Sequence, residues 1–225
     1  MKVRLDTLIA VAALTAVIAA PASAGAGLDT ASSRLDSILT RVQSHYRETH
    51  SFHAKFTEEV ASPGGMKKSR TGSVYYLKPG RMRWEFAAPD NETIVSDGTL
   101  VYSYEPDLNQ VIETPVKQIL KSPSATTFLL GFGDLRRDFK ASFTSPAPAD
   151  GLIHLTLVPK EGGNQANISL DGRTLNLVTL QLTDAIGDRT LFRFTDWANN
   201  PVLGDSLFRF DIPQGADIVR TPGAS

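Results

Sequence analysis

The chain has 225 residues, with 23 basic and 24 acidic side chains, a formal net charge of −1 and no cysteine. Balanced charge argues against a nucleic-acid-binding protein, which would show a clear basic excess. Without cysteine the chain has no disulfide or thiol chemistry and no lipid attachment at cysteine, so its fold must rest on the apolar core.

Residues 1–24 have the pattern of a secretory signal peptide. Two basic residues open the segment, an uncharged apolar run follows from Leu8 to Ala20, and Ala22-Ser-Ala24 is a small-x-small cleavage signal. A retained membrane anchor is the alternative, but the run is shorter than the roughly 20 apolar residues that a spanning helix needs. We expect cleavage after Ala24, export to a bacterial periplasm, and one mature domain of residues 25–225.

A helix is predicted first in the mature chain, from Leu28 to Tyr46. Its apolar residues recur at helical spacing on one stripe, which consists of Leu35, Ile38, Leu39, Val42 and Tyr46. Ser33, three residues before Asp36, suggests a capping box at its start. A helix with one apolar face belongs on top of a sheet.

From Ser51 onward the apolar period changes to two, which indicates strands. Turn-forming residues separate the strands at Pro63-Gly-Gly65, Pro79-Gly80, Asp97-Gly98, Gly162-Gly-Asn164 and Asp171-Gly172. The predicted strands are residues 52–57, 72–77, 81–86, 93–95, 100–104, 110–113, 139–143, 152–158, 165–170, 174–182, 188–197 and 207–210. The tail after Gly215 is expected to be a frayed end.

Two short apolar segments, Val116–Leu120 and Ala125–Leu130, interrupt the strand pattern. Pro115, Pro123 and Gly131 bracket them, which favours two short helices that cover the sheet; one buried strand is the alternative. The predicted fold is mainly β (α+β): a single large, curled antiparallel sheet forming an unclosed half-barrel. An N-terminal helix and short lid helices cover its concave face.

Catalytic signatures are missing from the sequence. There is no Gly-x-Ser-x-Gly elbow, no phosphate-binding glycine loop and no His-Glu-x-x-His motif. His45, His50 and His53 match no standard metal-ligand spacing, and the adjacent Glu58 and Glu59 face opposite ways on a strand, one solvated and one at a rim. We expect no enzyme activity, no metal and no cofactor.

The apolar interior is the remaining candidate site. Each residue of it could be ordinary core, but a single curled sheet under thin helical cover has trouble filling its own middle and often holds an apolar ligand. The candidates are Phe52, Phe56, Tyr75 or Leu77, Met82, Trp84, Phe86, Val95, Leu100, Tyr102, Tyr104, Phe128, Leu129, Leu130, Phe192, Phe194 and Trp197.

Five segments, in order, resemble the LolA family, the periplasmic outer-membrane lipoprotein carrier proteins. They are Ser51-Phe-His-Ala-Lys-Phe56, Leu77-Lys-Pro-Gly-Arg-Met-Arg-Trp84, Val95-Ser-Asp-Gly-Thr-Leu-Val-Tyr102, Tyr104-Glu-Pro106 and Phe210-Asp-Ile-Pro-Gln-Gly215. The resemblance covers nearly the whole mature chain. It implies a half-barrel with a helical lid whose cavity receives the acyl chains of triacylated lipoproteins.

The resemblance also implies partners and a latch. An ATP-driven inner-membrane complex would release the cargo to this chain, which would act as a periplasmic monomer and deliver it to an outer-membrane lipoprotein acceptor. In the family an arginine holds the empty cavity closed through lid backbone. Lys78 stands there in this chain, so the latch is expected to be weaker or to be organised by Arg81 or Arg83. Met82 matches a position at the cavity, and Ser124–Gly131 matches the lid helix.

Two other functions compete with the carrier. The same half-barrel occurs in periplasmic regulatory proteins that sense lipids or lipoproteins, although those usually carry a second domain, for which this chain has no room. A hydrolase is disfavoured by the missing nucleophile.

Overall fold

A computed structural model describes residues 24–119, 134–144, 149–184 and 186–222, and twelve strands of these residues form one sheet. The strands are β1 Ser51–Ala61, β2 Lys67–Leu77, β3 Arg81–Phe86, β4 Thr93–Asp97, β5 Leu100–Glu105, β6 Gln110–Pro115, β7 Phe139–Phe143, β8 Leu152–Pro159, β9 Gln165–Asp171, β10 Leu177–Thr183, β11 Arg189–Asn199 and β12 Asp217–Arg220. The α-helices are α1 Ala24–Glu48, α2 Val116–Ile119 and α3 Leu135–Asp138, and two 3-10 helices span Pro106–Leu108 and Asp205–Phe208.

The strand order is β12-β6-β5-β4-β3-β2-β1-β11-β10-β9-β8-β7. Two meanders therefore meet where β1 pairs with β11, and the sheet ends in β12 on one side and β7 on the other. All neighbours are antiparallel except β12 and β6, which are parallel. The predicted mainly β, unclosed half-barrel is confirmed, with one parallel pair at its edge.

A bulge in β11 bends the sheet at its centre. The register with β1 shifts between His53 and Lys55, because β11 carries an extra residue there, and Asp196 has a φ of 54°. Such bulges increase the local twist and bend the strand. Lys55 pairs with Asp196 at 2.9 Å. The bend contributes to the curl that gives the sheet an inner face, defined here as the face that carries Met82, Trp84 and Phe86.

The helix α1 covers part of the inner face. Its predicted stripe is confirmed: Ile38, Leu39, Val42 and Tyr46 are buried in the same apolar cluster as the inner side chains of the strands. The helix begins at Ala24, well before the predicted start, so Ser33 lies inside it and the predicted capping box is wrong.

The short helix α3, which was not predicted, is fastened to α1. The side chain of Asp134 caps it by accepting from the backbone N–H groups of Arg136 and Arg137. Gln43 Oε1 accepts from Leu135 N at 3.0 Å, and Arg136 Nη2 donates to Thr40 Oγ1 at 2.7 Å. The first predicted lid helix is confirmed as α2; the second, Ala125–Leu130, lies outside the described residues.

The segment after β11 crosses the outer face of the sheet. Asp205–Phe208 is a 3-10 helix, so the strand predicted for 207–210 is wrong. Phe208 is 1% exposed, and the Phe210 ring stacks on Tyr102 at 5.4 Å. Beyond Gly215, the predicted frayed end is instead β12. Among the described residues, no helix is both long and apolar enough to cross a membrane.

Candidate functional site

A cavity of about 250 Å³ lies on the inner face of the sheet. Strands from both meanders contribute to it, so it exists only because β1 joins them. Twelve of its lining residues carry apolar or aromatic side chains: Phe52, Val74, Tyr76, Met82, Trp84, Phe86, Ile94, Leu177, Leu180, Phe192, Phe194 and Trp197. Three are charged: Glu58, Arg70 and Glu92. It is an apolar pocket with one ionic corner.

Aromatic rings form a connected wall around the pocket. Trp84 lies 4.8 Å from Phe56 and 5.5 Å from Phe192, measured between ring centroids. On the other side, Trp197 lies 5.0 Å from Phe52, and its Nε1 donates to the carbonyl of Leu177 at 2.9 Å. Both tryptophans of the chain therefore face the same cavity.

The structure brings several of the predicted cavity residues together. Phe52, Met82, Trp84 and Phe86 line the pocket, and Phe56 is buried directly against Trp84 and Phe86. The candidates Phe192, Phe194 and Trp197 line it as well. The lid residues of the prediction, Phe128, Leu129 and Leu130, lie outside the described residues.

Three predicted cavity residues lie on the wrong side of the sheet. Trp84 pairs with Ile94, so Ile94 faces inward, while Val95 and its partner Tyr102 face outward. Tyr104 follows Tyr102 on the outer face and lies 6.1 Å from the Phe210 ring. Val95, Tyr102 and Tyr104 thus pack under the C-terminal segment, and their assignment to the cavity is wrong.

The same alternation corrects the choice made for β2 and β5. Val74 and Tyr76 line the pocket, whereas Tyr75 stacks on His53 at 4.5 Å on the outer face. Leu77 and Leu100 also fall on the outer side of their strands. The alternation along a strand shows which side chains share a face. It does not show which of the two faces is the inner one.

An ionic triad occupies the corner of the pocket. Arg70 Nε donates to Glu58 at 2.5 Å, and Arg70 Nη1 donates to Glu92 at 2.5 Å. The guanidinium lies over the ring of Phe86, 4.1 Å from its centroid. Exposed side-chain fractions are 7% for Glu58, 16% for Arg70 and 28% for Glu92, so the triad runs from the buried wall toward solvent.

Arg70 keeps its charge in this corner. Burial opposes the charged guanidinium, but hydrogen bonds and attraction from Glu58 and Glu92 raise the pKa of Arg70. The predicted position of Glu58, at a rim or in solvent, is wrong, and Arg70 is not among the predicted site residues. A signal was available: Glu58 continues the inward positions of Phe52 and Phe56, which predicts a buried carboxylate that needs a partner.

Lys78 fastens the end of α1 to the sheet. Its Nζ donates to the carbonyl oxygens of Tyr46 at 2.8 Å and Arg47 at 2.6 Å, in the last turn of the helix. A cation suits a helix C-terminus, where carbonyl groups lack helical partners. Burial, and the nearby charge of Arg47, lower the pKa of Lys78. The segment Ser124–Gly131 lies outside the described residues, so the observed partner of Lys78 is α1.

Arg81 and Arg83 do not share this task. Arg81 Nη1 binds Asp205 at 2.5 Å, and its guanidinium lies over the Phe208 ring, 5.8 Å from the centroid. Arg83 donates to the carbonyl of Leu207 at 3.3 Å. Both arginines therefore hold the C-terminal segment on the outer face. A latch between either arginine and Ser124–Gly131 stays a prediction, because that segment lies outside the described residues.

A Ser–His–Asp chain lies elsewhere on the sheet. His154 Nδ1 is 2.8 Å from Ser169 Oγ, and His154 Nε2 is 3.0 Å from Asp150. Ser169 and His154 are opposite each other on β9 and β8, on the outer face, and Ser169 is 8% exposed. The hydrogen bond from His154 lowers the pKa of Asp150. Neither Ser169 nor His154 lines the apolar cavity.

The three histidines considered for a metal have separate surroundings. Burial lowers the pKa of His45, His53 stacks on Tyr75, and the His50 backbone N–H donates to Asn200 Oδ1 at 2.7 Å. Within the described ranges no three His, Cys, Asp or Glu side chains form a metal-binding group. The pocket is therefore the candidate functional site. It can surround a hydrocarbon chain and offers one ionic corner.

Comparison with known proteins points to one family. The family model described as "Outer membrane lipoprotein carrier protein LolA" matches residues 47–211. An outer-membrane lipoprotein carrier protein from Cupriavidus necator is 32% identical over 90% of this chain and 92% of its own length. Another, from Bordetella avium, is 35% identical over 92% of this chain and 95% of its own length.

One solved structure supports the fold independently. An uncharacterized conserved protein from Thermus thermophilus matches with a TM-score of 0.53 at 14% identity, over 84% of this chain and 99% of that chain. At this identity the similarity concerns the fold alone.

Proposed function

The chain belongs to the LolA family of outer membrane lipoprotein carrier proteins, and we propose from this premise that it binds the acyl chains of lipoproteins and carries them between membranes. The observation that supports the role is the apolar pocket on the inner face, whose wall is almost entirely hydrocarbon and aromatic. Such a surface suits an acyl chain better than a polar substrate.

The size of the pocket suits a carrier that releases its cargo. Burying an acyl chain contributes roughly 0.8 kcal/mol per methylene, so a chain of about sixteen carbons gives ~12 kcal/mol. Three chains bound that tightly would not leave by diffusion. The pocket of about 250 Å³ lies below the range of roughly 300–1,000 Å³ typical of small-molecule sites. Loading therefore has to open the protein, and the cost of opening offsets part of the binding.

The proposed compartment and partners of the chain are those of the same family. Residues 1–24 would direct export and be cleaved after Ala24, and the mature monomer would work in the periplasm. An ATP-driven inner-membrane complex would supply triacylated lipoprotein, and an outer-membrane lipoprotein acceptor would receive it. The lipid-sensing regulator remains the second candidate from the sequence, and no specific observation favours it.

A release assay tests the carrier function. Inner-membrane vesicles that contain newly made lipoprotein are incubated with ATP and the purified mature chain, and the supernatant is analysed for a lipoprotein complex. The Bordetella avium relative provides a positive control. We expect the chain to bring lipoprotein into the supernatant in an ATP-dependent way. Lipoprotein that stays in the vesicles, while the relative releases it, would refute the carrier role and favour the regulator.

We also propose that the chain is not an enzyme. Ser169 is buried on the outer face and does not line the pocket, so a substrate held in the pocket could not reach its Oγ. The Ser–His–Asp chain then serves to pair β8 with β9. A fluorophosphonate probe should leave Ser169 unlabelled; labelling that Ser169→Ala abolishes would overturn this assignment.

A further inference from the structure

The ionic triad of Glu58, Arg70 and Glu92 is unusual for a pocket that holds hydrocarbon. Removing charges from water is costly, so an apolar cavity needs a reason to keep three of them in its wall. Their distances of 2.5 Å show that the charges are paired and held in one arrangement across β1, β2 and the loop before β4. The pairing explains how the three charges can be partly buried. It does not explain why they lie at the pocket.

Arg70 has hydrogen-bonding capacity beyond its two carboxylates. A guanidinium carries five N–H donors, and Glu58 and Glu92 take one each through Nε and Nη1. Among the described residues, Nη2 has no hydrogen-bond acceptor, and Arg70 lines the pocket. The triad can therefore donate to a further acceptor at the end of an acyl chain.

The net charge of the triad decides which acceptor fits. One arginine and two glutamates sum to −1, and the carboxylates already flank the guanidinium on two sides. A neutral carbonyl oxygen can approach the remaining N–H groups without repulsion. A phosphate would be the third anion around a single cation, and juxtaposed like charges are strongly unfavourable where solvent is scarce.

We propose that this triad is a selectivity site: Arg70 binds the neutral ester and amide carbonyls that join acyl chains to a lipoprotein, while Glu58 and Glu92 reject the phosphate of membrane phospholipids. The inference rests on the proposed carrier function and specifies the ligand class of the same pocket. A carrier that works at a membrane surface meets phospholipid in large excess, with the same acyl chains. A repulsive element can supply the specificity, because both lipids share the acyl chains and their ester carbonyls and differ in the phosphate.

The two tryptophans provide the measurement. Trp84 and Trp197 are the only tryptophans in the chain, and both line the pocket. Brominated acyl chains quench tryptophan fluorescence on contact, so quenching reports entry into the pocket. The probes are a triacylated lipopeptide with brominated chains and a phosphatidylglycerol with the same chains, each added in the same detergent.

The central variant is Glu92→Gln, which keeps the buried Arg70–Glu58 pair and neutralises the triad. The matched control is Glu85→Gln, which makes the same charge change on the outer face, where Glu85 pairs with Arg83 at 2.6 Å. A third variant, Glu58→Gln with Arg70→Met and Glu92→Gln, removes all charges while leaving no buried ion unpaired. Thermal unfolding of every variant checks that it is folded.

We expect the unmodified chain to bind the lipopeptide about tenfold more tightly than phosphatidylglycerol. Glu92→Gln should remove most of that preference by strengthening phosphatidylglycerol binding, and Glu85→Gln should retain it. The uncharged triple variant should lose lipopeptide affinity about tenfold, because a hydrogen bond from a charged donor is lost. If the triple variant does not fold, the Glu92→Gln and Glu85→Gln comparison still decides the question.

Two results would overturn the inference in different ways. If the unmodified chain and Glu92→Gln bind both lipids with the same ratio, the triad does not select, although the carrier function stands. If neither lipid quenches the tryptophans of the unmodified chain, the carrier function itself fails, and the inference fails with it.

Discussion

Lys78 connects two parts of the molecule that have to separate if the pocket opens on the α1 side. It sits at the turn between β2 and β3 and donates to two carbonyl groups in the last turn of α1. An ammonium is a mobile point charge, which binds such carbonyls less rigidly than the planar fork of an arginine. The contact is therefore suited to break and re-form.

We predict that Lys78→Leu lowers the free energy of unfolding by about 1 kcal/mol, because the helix end loses its cation. Transfer of lipoprotein should also fall, because α1 is then held less firmly on the inner face of the sheet that carries the pocket. Chemical denaturation and the vesicle release assay measure the two effects. Lys78→Arg retains the donors and is the control; equal transfer by Lys78→Leu and the unmodified chain would contradict a latch role.

Met82 is the residue at which the apolar character of the pocket can be tested most directly. Met82→Glu places an unpaired carboxylate in the wall, so we expect a loss of about 3 kcal/mol in stability and about a tenfold loss of lipopeptide binding. Met66→Glu makes the same change at a side chain that is 70% exposed and should alter neither. Tryptophan quenching by brominated lipopeptide is the readout, and undiminished quenching in Met82→Glu would refute the site.

Residue-level prediction from the sequence succeeded where a pattern lies within one strand. The alternation through Met82, Trp84 and Phe86 placed all three on one face. The triad could not be predicted in this way, because Arg70 and Glu92 lie 22 residues apart and meet only after β2, β3 and the following loop have folded. Ion pairs of that kind depend on register between strands.

Among the elements, β2 is shaped by Gly72. A Cβ at this position would collide with the carbonyl oxygen of Glu85 on β3 and lie 2.6 Å from Cζ of Phe56. The absent side chain lets the Phe56 ring lie across the strand, where it meets Trp84 and Phe86. The aromatic wall of the pocket therefore depends on a glycine that does not itself line the pocket.

We predict that Gly72→Ala destabilises the protein by about 1–3 kcal/mol, the usual effect of overpacking. Displacement of the Phe56 ring should also shift the emission of Trp84, which is its neighbour. Gly64→Ala is the control, since a Cβ at Gly64 meets nothing within 4 Å. Denaturation followed by tryptophan fluorescence measures both effects; a Gly72→Ala protein as stable as Gly64→Ala would contradict the steric argument.

Element prediction failed mainly where the outer face is covered. Phe208 and Phe210 alternate as in a strand, but they follow the bend after β11 and pack on the outer face, Phe210 against Tyr102, instead of joining the sheet. The partner of β12 is β6, about a hundred residues earlier, and a four-residue strand has too little pattern to indicate such a distant pairing. Short strands and outer-face packing are decided by tertiary contacts.

At the scale of the molecule, the described pocket of about 250 Å³ is smaller than the proposed cargo. The strands are tied to each other by continuous ladders, whereas α1 is tied to the rest by side-chain contacts such as those of Lys78 and Gln43. Opening should therefore move the helix and leave the sheet intact.

We predict that loading with triacylated lipopeptide accelerates amide hydrogen exchange in residues 38–48 of α1, while exchange in β2 and β3 stays slow. Mass spectrometry of peptides from the free and loaded protein measures this. Phosphatidylglycerol, which the triad should reject, is the control lipid. Greater protection of α1 on loading would show that the cargo enters by another route.

The central ladder of the sheet has a consequence for the proposed export of the chain. Where β1 meets the end of β11, His50 and Asn200 are joined although 150 positions separate them. Contacts between such distant positions slow folding, and sheets of this kind have folding times of about milliseconds to seconds. A chain threaded across a membrane from its amino terminus would emerge with β1 long before β11, so its two halves could not lock together prematurely. If the chain is exported as proposed, the same connectivity that builds the pocket would delay its formation until most of the chain had crossed the membrane.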